Sequence, residues 1–96
     1  GMDAETRDQA RKRIRRIAGQ VAAIERMIDA DRYCVDVLLQ VAAVRAALDG
    51  VGKLLLQNHV EHCVADAITS GRPKERQEKI AELMEVFSRF TQIGGR

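Results

Sequence analysis

A long stretch without proline is the feature that most limits what this chain can fold into. The one proline is Pro73, and between residues 33 and 69 the apolar residues recur in steps of three and four, as along the buried stripe of an α-helix. Glycine at positions 50 and 52 weakens a helix by about 1 kcal/mol per residue relative to alanine, which is too little to end one of this length. The pattern predicts one continuous helix over residues 33–69. Its stripe comprises Val37, Leu38, Val41, Val44, Leu48, Val51, Leu55 and Leu56.

A shorter helix is predicted on each side of this long one. The first spans about residues 3–29, with Asp3 as its N-cap and an apolar stripe of the same period. The segment 70–73 interrupts the pattern, and Pro73 suits the first turn of a third helix that ends near residue 90. Residues 91–96 contain two glycines and are expected to form a frayed tail.

The composition agrees with an all-α fold and argues against an enzyme. The chain has 96 residues, of which 46% are hydrophobic and only 3% aromatic, so we predict a single helical domain over residues 1–96. A chain of this size buries only about 60% of its unfolded surface, which favours an oligomer over a pocketed enzyme. No apolar run approaches the roughly 20 residues that span a bilayer, and the N-terminus is charged, so we expect a cytoplasmic protein without a membrane partner.

Three side chains on the long helix are of types that bind metals. His59 and Cys63 are four residues apart and therefore lie on one face of a helix. Cys34 precedes His59 by 25 residues, or about 37 Å along a continuous helix, so one chain cannot bring all three together. Two antiparallel chains can. In a reducing compartment, two cysteines are more typical of metal binding or thiol reactivity than of a disulfide.

Small residues near the middle of the long helix support an antiparallel pair. If Cys34 of one chain meets His59 and Cys63 of another, the two-fold axis passes near residues 47–48. Small side chains that permit close helix approach cluster there, namely Ala42, Ala43, Ala46, Ala47 and Gly50. A symmetric homodimer with two equivalent sites is the prediction. The alternative is that these residues simply pack against the first helix of the same chain.

The first helix carries most of the chain's positive charge. Between residues 7 and 16 the only acid is Asp8, whereas the whole chain has a net charge of +2. The basic residues are Arg7, Arg11, Lys12, Arg13, Arg15 and Arg16, and Arg45 and Lys53 on the second helix extend the surface. Basic helix faces are commonly just solvated, and no helix-turn-helix or zinc-finger motif is present. Several copies in an oligomer would nevertheless neutralise DNA phosphates.

The segments RYCVDVLLQVAAVRAAL, NHVEHCV and IAELME resemble the copper-sensitive operon repressor (CsoR-like) family, which is related to nickel/cobalt and formaldehyde sensors. The resemblance extends from about Arg11 to Phe87. It implies a three-helix protomer, an antiparallel four-helix-bundle dimer and a tetramer built as a dimer of dimers. It also implies a repressor that binds double-stranded operator DNA and releases it when Cu(I) binds, so that copper-resistance genes are expressed.

The same resemblance implies roles for individual residues. Cys34 of one protomer would join His59 and Cys63 of the other around Cu(I), a soft ion that favours thiolates, whereas Zn(II) prefers four ligands. Tyr33 and Glu82 would form a hydrogen-bond network to the imidazole nitrogen that does not bind the metal. By residue type alone, these two would be a packing tyrosine and a solvated glutamate. His62 is expected to be a surface histidine, and Arg13 matches an arginine that contacts DNA in the family. The matching position in some relatives of the family is basic where this chain has Gly50.

Other inducers and other functions fit the residues less well. Nickel and cobalt sensors that resemble this chain have an N-terminal histidine and a histidine in place of Cys63, and residues 1–10 here contain none. Formaldehyde sensors have a proline where this chain has Asp3, and persulfide sensors lack the equivalent of His59. A nucleophilic Cys63 activated by His59 would have no orienting third group and no oxyanion hole. A purely structural helical oligomer with incidental cysteines remains an alternative.

Overall fold

Three α-helices and one π-helical segment account for most of the chain. The computed structural model describes residues 2–64, 69 and 72–95, and the side chains at 63, 64 and 90–95 lie outside that description. In order along the chain, the elements are α1 (Ala4–Asp29), α2 (Cys34–Asn58), a π-helical segment (His59–Val64) and α3 (Pro73–Gly95). This architecture confirms an all-α protomer with a long central helix. None of the described helices is both long and apolar enough to cross a membrane.

Among the described residues, the predicted helices and the observed ones differ in two places, and the expected end of the second helix near residue 69 falls largely outside them. The second helix is not α-helical throughout, because the backbone changes to π-helical geometry at His59. The third helix extends to Gly95, beyond the expected end near residue 90, since no helix-breaking residue precedes the two glycines. The expected frayed tail at 91–96 is therefore helical as far as Gly95.

α1 and α2 form an antiparallel hairpin whose ends are locally stabilised. At the start of α1, the Asp3 carboxylate accepts a hydrogen bond from the Thr6 N–H at 2.7 Å, as predicted for an N-cap. At its end, the N–H groups of residues 30–32 donate to carbonyls of the last turn, each at 3.0 Å. Asp31 adopts a positive φ of 55°, which aspartate tolerates better than most residues. The chain thus reverses direction within a few residues.

The core of the protomer is a thin seam between α1 and α2. Ile17, Val44 and Val51 are the centre of this seam, with exposures of 6%, 8% and 6%, and Ile24, Ala47 and Leu55 pack around them. The molecule measures 58 × 29 × 13 Å, and its smallest dimension is close to the diameter of one helix with its side chains. A single layer of helices covers only one side of each helix. Large apolar side chains consequently remain exposed on α2 and α3, including Leu38, Leu39, Leu48, Ile80, Met84 and Phe87.

Candidate metal centre and nucleic-acid interface

The predicted ligand positions His59 and Cys63 lie in the π-helical segment that follows α2. In π geometry each carbonyl accepts from the N–H five residues later, and such turns occur often at functional sites. Asn58, the last residue of α2, has an exposure of only 6%, and its Oδ1 accepts from the backbone N–H of Asp3 at 3.4 Å. The change in helix type therefore begins where α2 contacts the start of α1.

His59 lies beside Glu82, the residue that the family resemblance implies as one of its partners. The distance from His59 Nε2 to Glu82 Oε1 is 3.7 Å, which is within ion-pair range but longer than a hydrogen bond. Both side chains are partly exposed, and the contact joins the π-helical segment to α3. Because Glu82 lies beside Nε2, Nδ1 would be the ring nitrogen available to a metal. A carboxylate beside the second nitrogen is the usual arrangement around a metal-bound histidine.

Cys34 and Tyr33 lie at the opposite end of α2 from His59. Cys34 is an exposed free thiol in the first turn, and the Tyr33 side chain is 68% exposed and makes no capping hydrogen bond. The 25 residues between Cys34 and His59 correspond to about 37 Å of helix. A single protomer therefore does not bring the predicted ligands together. Among the described side chains, which exclude that of Cys63, no three His, Cys, Asp or Glu residues are grouped closely enough to hold a metal ion.

His62 has a partner that sequence reasoning did not find. It is about half exposed, as a surface histidine should be, but its Nε2 lies 3.0 Å from Asp3 Oδ2. The backbone N–H of Thr6 lowers the pKa of the Asp3 carboxyl below its ordinary value, and the charge of His62 lowers it further. The lengths of the two helices in the hairpin could have predicted this contact. Because α1 and α2 have 26 and 25 residues and run antiparallel, the first residues of α1 must lie beside the end of α2.

The predicted basic residues lie on the surfaces of α1 and α2. Those named as candidate DNA contacts are all exposed: Arg11, Lys12, Arg13, Arg15, Arg16, Arg45 and Lys53. Two of them pair with an acid one turn earlier, Lys12 with Asp8 at 3.2 Å and Lys53 with Asp49 at 4.0 Å. Arg13 instead crosses to α2, where its Nη1 donates to the carbonyl of Gly50 at 3.4 Å. The positive surface therefore spans both helices.

The chain is similar to known transcriptional regulators, among them copper-responsive and nickel-responsive ones. Residues 6–89 match the metal-sensitive transcriptional repressor family. The chain is 48% identical to the copper-sensing transcriptional repressor CsoR of Bacillus subtilis, over 92% of this chain and 84% of that protein. Its fold is similar to the copper-sensing repressor CsoR with Cu(I) from Geobacillus thermodenitrificans, with a TM-score of 0.85, 40% identity, and coverage of 95% and 92% of the two chains. The nickel-responsive regulator InrS is also similar, with a TM-score of 0.74, 37% identity, and coverage of 86% and 90%.

Proposed function

Because this chain belongs to the metal-sensitive transcriptional repressor family, and is therefore not an enzyme, we propose that it is the Cu(I)-responsive kind. The metal-free oligomer binds double-stranded operator DNA, and Cu(I) binding releases it, so that copper-resistance genes are expressed. The contact between His59 and Glu82 is the observation that carries the proposal, because it gives a candidate ligand the carboxylate partner that metal-bound histidines use. The three helices act as one metal-sensing and DNA-binding domain in the cytoplasm.

The donor set fits Cu(I). Cys34 from one protomer, with His59 and Cys63 from the other, would supply two thiolates and one imidazole. Soft thiolate ligands select Cu(I), whereas a closed structural zinc site uses four ligands. Tyr33 precedes Cys34 and would arrive with it, so that it joins Glu82 around the imidazole of the partner protomer. These residues would link the π-helical segment of one chain to the start of the other chain's α2 when a metal is bound, and Glu82 would extend that link to α3.

The proposed dimer follows from the surface that a protomer leaves exposed. Two antiparallel α2 helices that cross near residues 47–48 would place Leu48 against its symmetry mate and each Cys34 beside the other chain's His59. Burial of apolar surface contributes roughly 25 cal/mol per Å², so this exposed face provides the driving force for association. The apolar residues of α3 would then join two dimers into a tetramer. The bundle of four helices from α1 and α2 would replace the single-layer protomer.

Metal and DNA are linked through the oligomer's conformation. If the metal favours a state that cannot bind DNA, it lowers the affinity for DNA by a certain factor, and DNA lowers the affinity for the metal by the same factor. The corresponding coupling free energy is typically 1–3 kcal/mol. Within one protomer, the path from the site runs from His59 to Glu82 and α3, and from the π-helical segment to the start of basic α1. Movement of either element changes the relative positions of the basic helices.

A fluorescence-anisotropy titration tests the proposal. The protein is bound to a labelled duplex from the region upstream of its own gene, and Cu(I), Ni(II), Zn(II) and formaldehyde are added separately. Release by Cu(I) at low stoichiometry, and not by the others, is expected. Cys34→Ala should still bind the duplex but fail to respond to Cu(I). Release by Ni(II) or formaldehyde alone would assign the chain to another inducer, and absence of duplex binding together with absence of Cu(I) uptake would leave a structural oligomer.

A further inference from the structure

Arg45 is a charged residue on an otherwise largely apolar face of α2. Between the proposed ligands Cys34 and His59, the residues of this face recur in steps of three and four, as in a helix seam, and they are Leu38, Val41, Arg45, Leu48, Gly52 and Leu55. At about 100° of rotation per residue, the face lies about a quarter turn from the one that carries Val44 and Val51 and packs against α1. The proposed ligands and Arg45 therefore share a face that α1 does not cover.

This face of α2 is open in the protomer. Leu38, Val41 and Leu48 are 64%, 38% and 47% exposed. Arg45 is exposed as well, and within residues 2–64, 69 and 72–95 it has no acidic partner at ion-pair distance. A second α2 that covers the apolar residues would also cover Arg45. Removal of a cation from water is costly unless an anion accompanies it, so the second helix should supply one.

The register of the proposed dimer decides which residue meets Arg45. Because Cys34 lies between the partner's His59 and Cys63, each residue of α2 lies beside the one equally far beyond the two-fold axis on the other chain. Arg45 is then level with the partner's Asp49 to within about 1.5 Å along the helix axis. We propose that Arg45 of each protomer pairs with Asp49 of the other, and that these two ion pairs fix the register that completes the copper site. The inference rests on the proposed function, because it assigns contacts within the proposed dimer.

Asp49 is placed to accept such a contact. Its side chain is 40% exposed, and the Nζ of Lys53 on the same helix lies 4.0 Å from its Oδ2, at the limit of an ion pair. That long contact leaves the carboxylate able to accept hydrogen bonds from a guanidinium, whose planar fork suits two oxygens at once. Axes of packed helices lie about 8–10 Å apart, which an arginine side chain can cross. The partner's Gly52 lies at a neighbouring level and has no side chain, so it leaves room for the stem of Arg45.

The two pairs would select one arrangement among several that apolar contacts alone allow. A seam with steps of three and four also packs when one helix slides by a turn, about 5.4 Å. Arg45 would then move away from the partner's Asp49, and Cys34 would move away from the partner's His59. A parallel pair of helices would instead place two copies of Arg45 side by side, which like charges disfavour. Arg45 is thus a positioning residue for the copper site, and this role moves it from the candidate DNA contacts to the interface between chains.

Mixing two charge variants tests whether the pair joins two chains. Arg45→Asp leaves acids at both positions and Asp49→Arg leaves bases at both, so each homodimer holds only like charges at the axis. A dimer with one chain of each kind regains two opposite-charge pairs, while the charges within each chain stay as they were. After joint unfolding and refolding in equal amounts, we expect at least about nine tenths of the dimers to be mixed, rather than the statistical half. Native mass spectrometry of the dimers counts the chains of each kind.

Cu(I) uptake provides a second measurement, and α3 provides the control. Each variant alone should bind Cu(I) about tenfold or more weakly than the original chain, because the ligands lose their register, and the mixture should regain the original affinity. Arg89→Asp and Glu85→Arg alter a pair with the same spacing within α3, whose side chains lie 2.9 Å apart. Their mixture should contain the statistical half of mixed dimers and keep the original uptake.

A neutral substitution covers the case in which a charge variant fails to fold. Arg45→Gln removes the cation without creating repulsion within the helix, and it should weaken dimerisation about tenfold in sedimentation experiments. Arg89→Gln is its control and should leave dimerisation unchanged. Circular dichroism checks that each variant remains helical.

The outcomes separate this inference from the proposed function. A statistical mixture, from an original chain that takes up Cu(I) and releases the upstream duplex, overturns the ion pair and leaves the repressor function standing. A preference for mixed dimers, from an original chain whose duplex complex does not respond to Cu(I), supports the ion pair and overturns the proposed inducer. An original chain that is monomeric overturns both.

Discussion

At the scale of single residues, the contact between His59 and Glu82 shows what residue type can and cannot predict. A glutamate on a helix surface is ordinarily solvated, and nothing in its local sequence points to an imidazole 23 positions earlier. The family resemblance, rather than periodicity, singled out Glu82, and its side chain lies 3.7 Å from that of His59 in the structure. Cys34 and Cys63 remain predictions from the sequence. Their assembly requires a second chain, and the side chain of Cys63 lies outside the described part of the structure.

Glu82→Ala should separate copper binding from copper response. Cys34, His59 and Cys63 remain, so Cu(I) should still bind, but loss of the carboxylate removes the link between the imidazole and α3. We expect the factor by which Cu(I) weakens DNA binding to fall about tenfold, or about 1.4 kcal/mol of coupling free energy. Anisotropy titrations of the apo and Cu(I) forms measure that factor. Glu85→Ala, which removes a carboxylate paired with Arg89 on the same helix, is the control and should behave like the original chain.

Asp3 gives the fold a dependence on pH in the acid range. Its pKa is lowered below 3.8 by the Thr6 N–H and by His62, so the folded state binds a proton less readily than the unfolded state. The resulting stabilisation is fully present above about pH 4–5 and is lost as pH falls through the lowered pKa. Asp3→Asn keeps an N-capping side chain but removes the charge.

The variant should therefore be less stable than the original chain at about pH 6, and the difference should shrink in strong acid, as the pH falls through the lowered pKa of Asp3. Urea unfolding at a fixed protein concentration measures both values. Asp8→Asn, which also removes an exposed carboxylate of α1, is the control. A gap that is equally large at both pH values would mean that the carboxylate's charge is not what stabilises the hairpin.

At the scale of helices, most boundaries were predictable and the change in helix type was not. The N-cap Asp3 and the period of the apolar residues predict both ends of α1 to within about one residue, because caps and periodicity are local properties. The π-helical segment adds one residue to a turn without disturbing the spacing of apolar residues enough to be recognised. The segment also begins next to a contact that is not local, since Asn58 is buried against the start of α1. Sequence patterns along one helix do not contain that contact.

Asn58→Leu tests whether this junction stabilises the hairpin. The substitution removes the acceptor of the Asp3 N–H and places a larger apolar group at a buried position. Loss of this hydrogen bond together with the altered packing at a buried position should lower the free energy of unfolding by about 1–3 kcal/mol. Gln57→Leu is the matched control, because its side chain is exposed and bonds only to Glu61 on the next turn. Chemical denaturation should show a clear loss for Asn58→Leu and a change within about 0.5 kcal/mol for Gln57→Leu.

At the scale of the whole molecule, a single protomer leaves much of its apolar surface exposed. A layer only 13 Å thick cannot enclose both faces of α2, and the predicted apolar stripe accordingly divides into two sets. Val44 and Val51 face α1 and are buried, whereas Leu38 and Leu48 are exposed. The sequence predicted which residues are apolar but not which partner each one meets, because periodicity does not distinguish a helix of the same chain from one of another. Cys34 is likewise far from the other two proposed ligands within one protomer, so a second chain would have to bring them together.

Mixing two inactive variants tests directly whether the copper site is shared between chains. Neither Cys34→Ala nor His59→Ala should bind Cu(I) tightly, because each lacks a ligand in both sites of its own homodimer. After joint unfolding and refolding in equal amounts, half of the dimers contain one chain of each kind. Such a dimer has one site with Cys34 from one chain and His59 and Cys63 from the other, so total uptake should recover to about one quarter of the original value. Competition with a colorimetric Cu(I) chelator measures the uptake. A mixture of Cys34→Ala with Cys34→Ser has no route to an intact site and should recover nothing, and if the first mixture also recovers nothing, the ligands do not come from two chains.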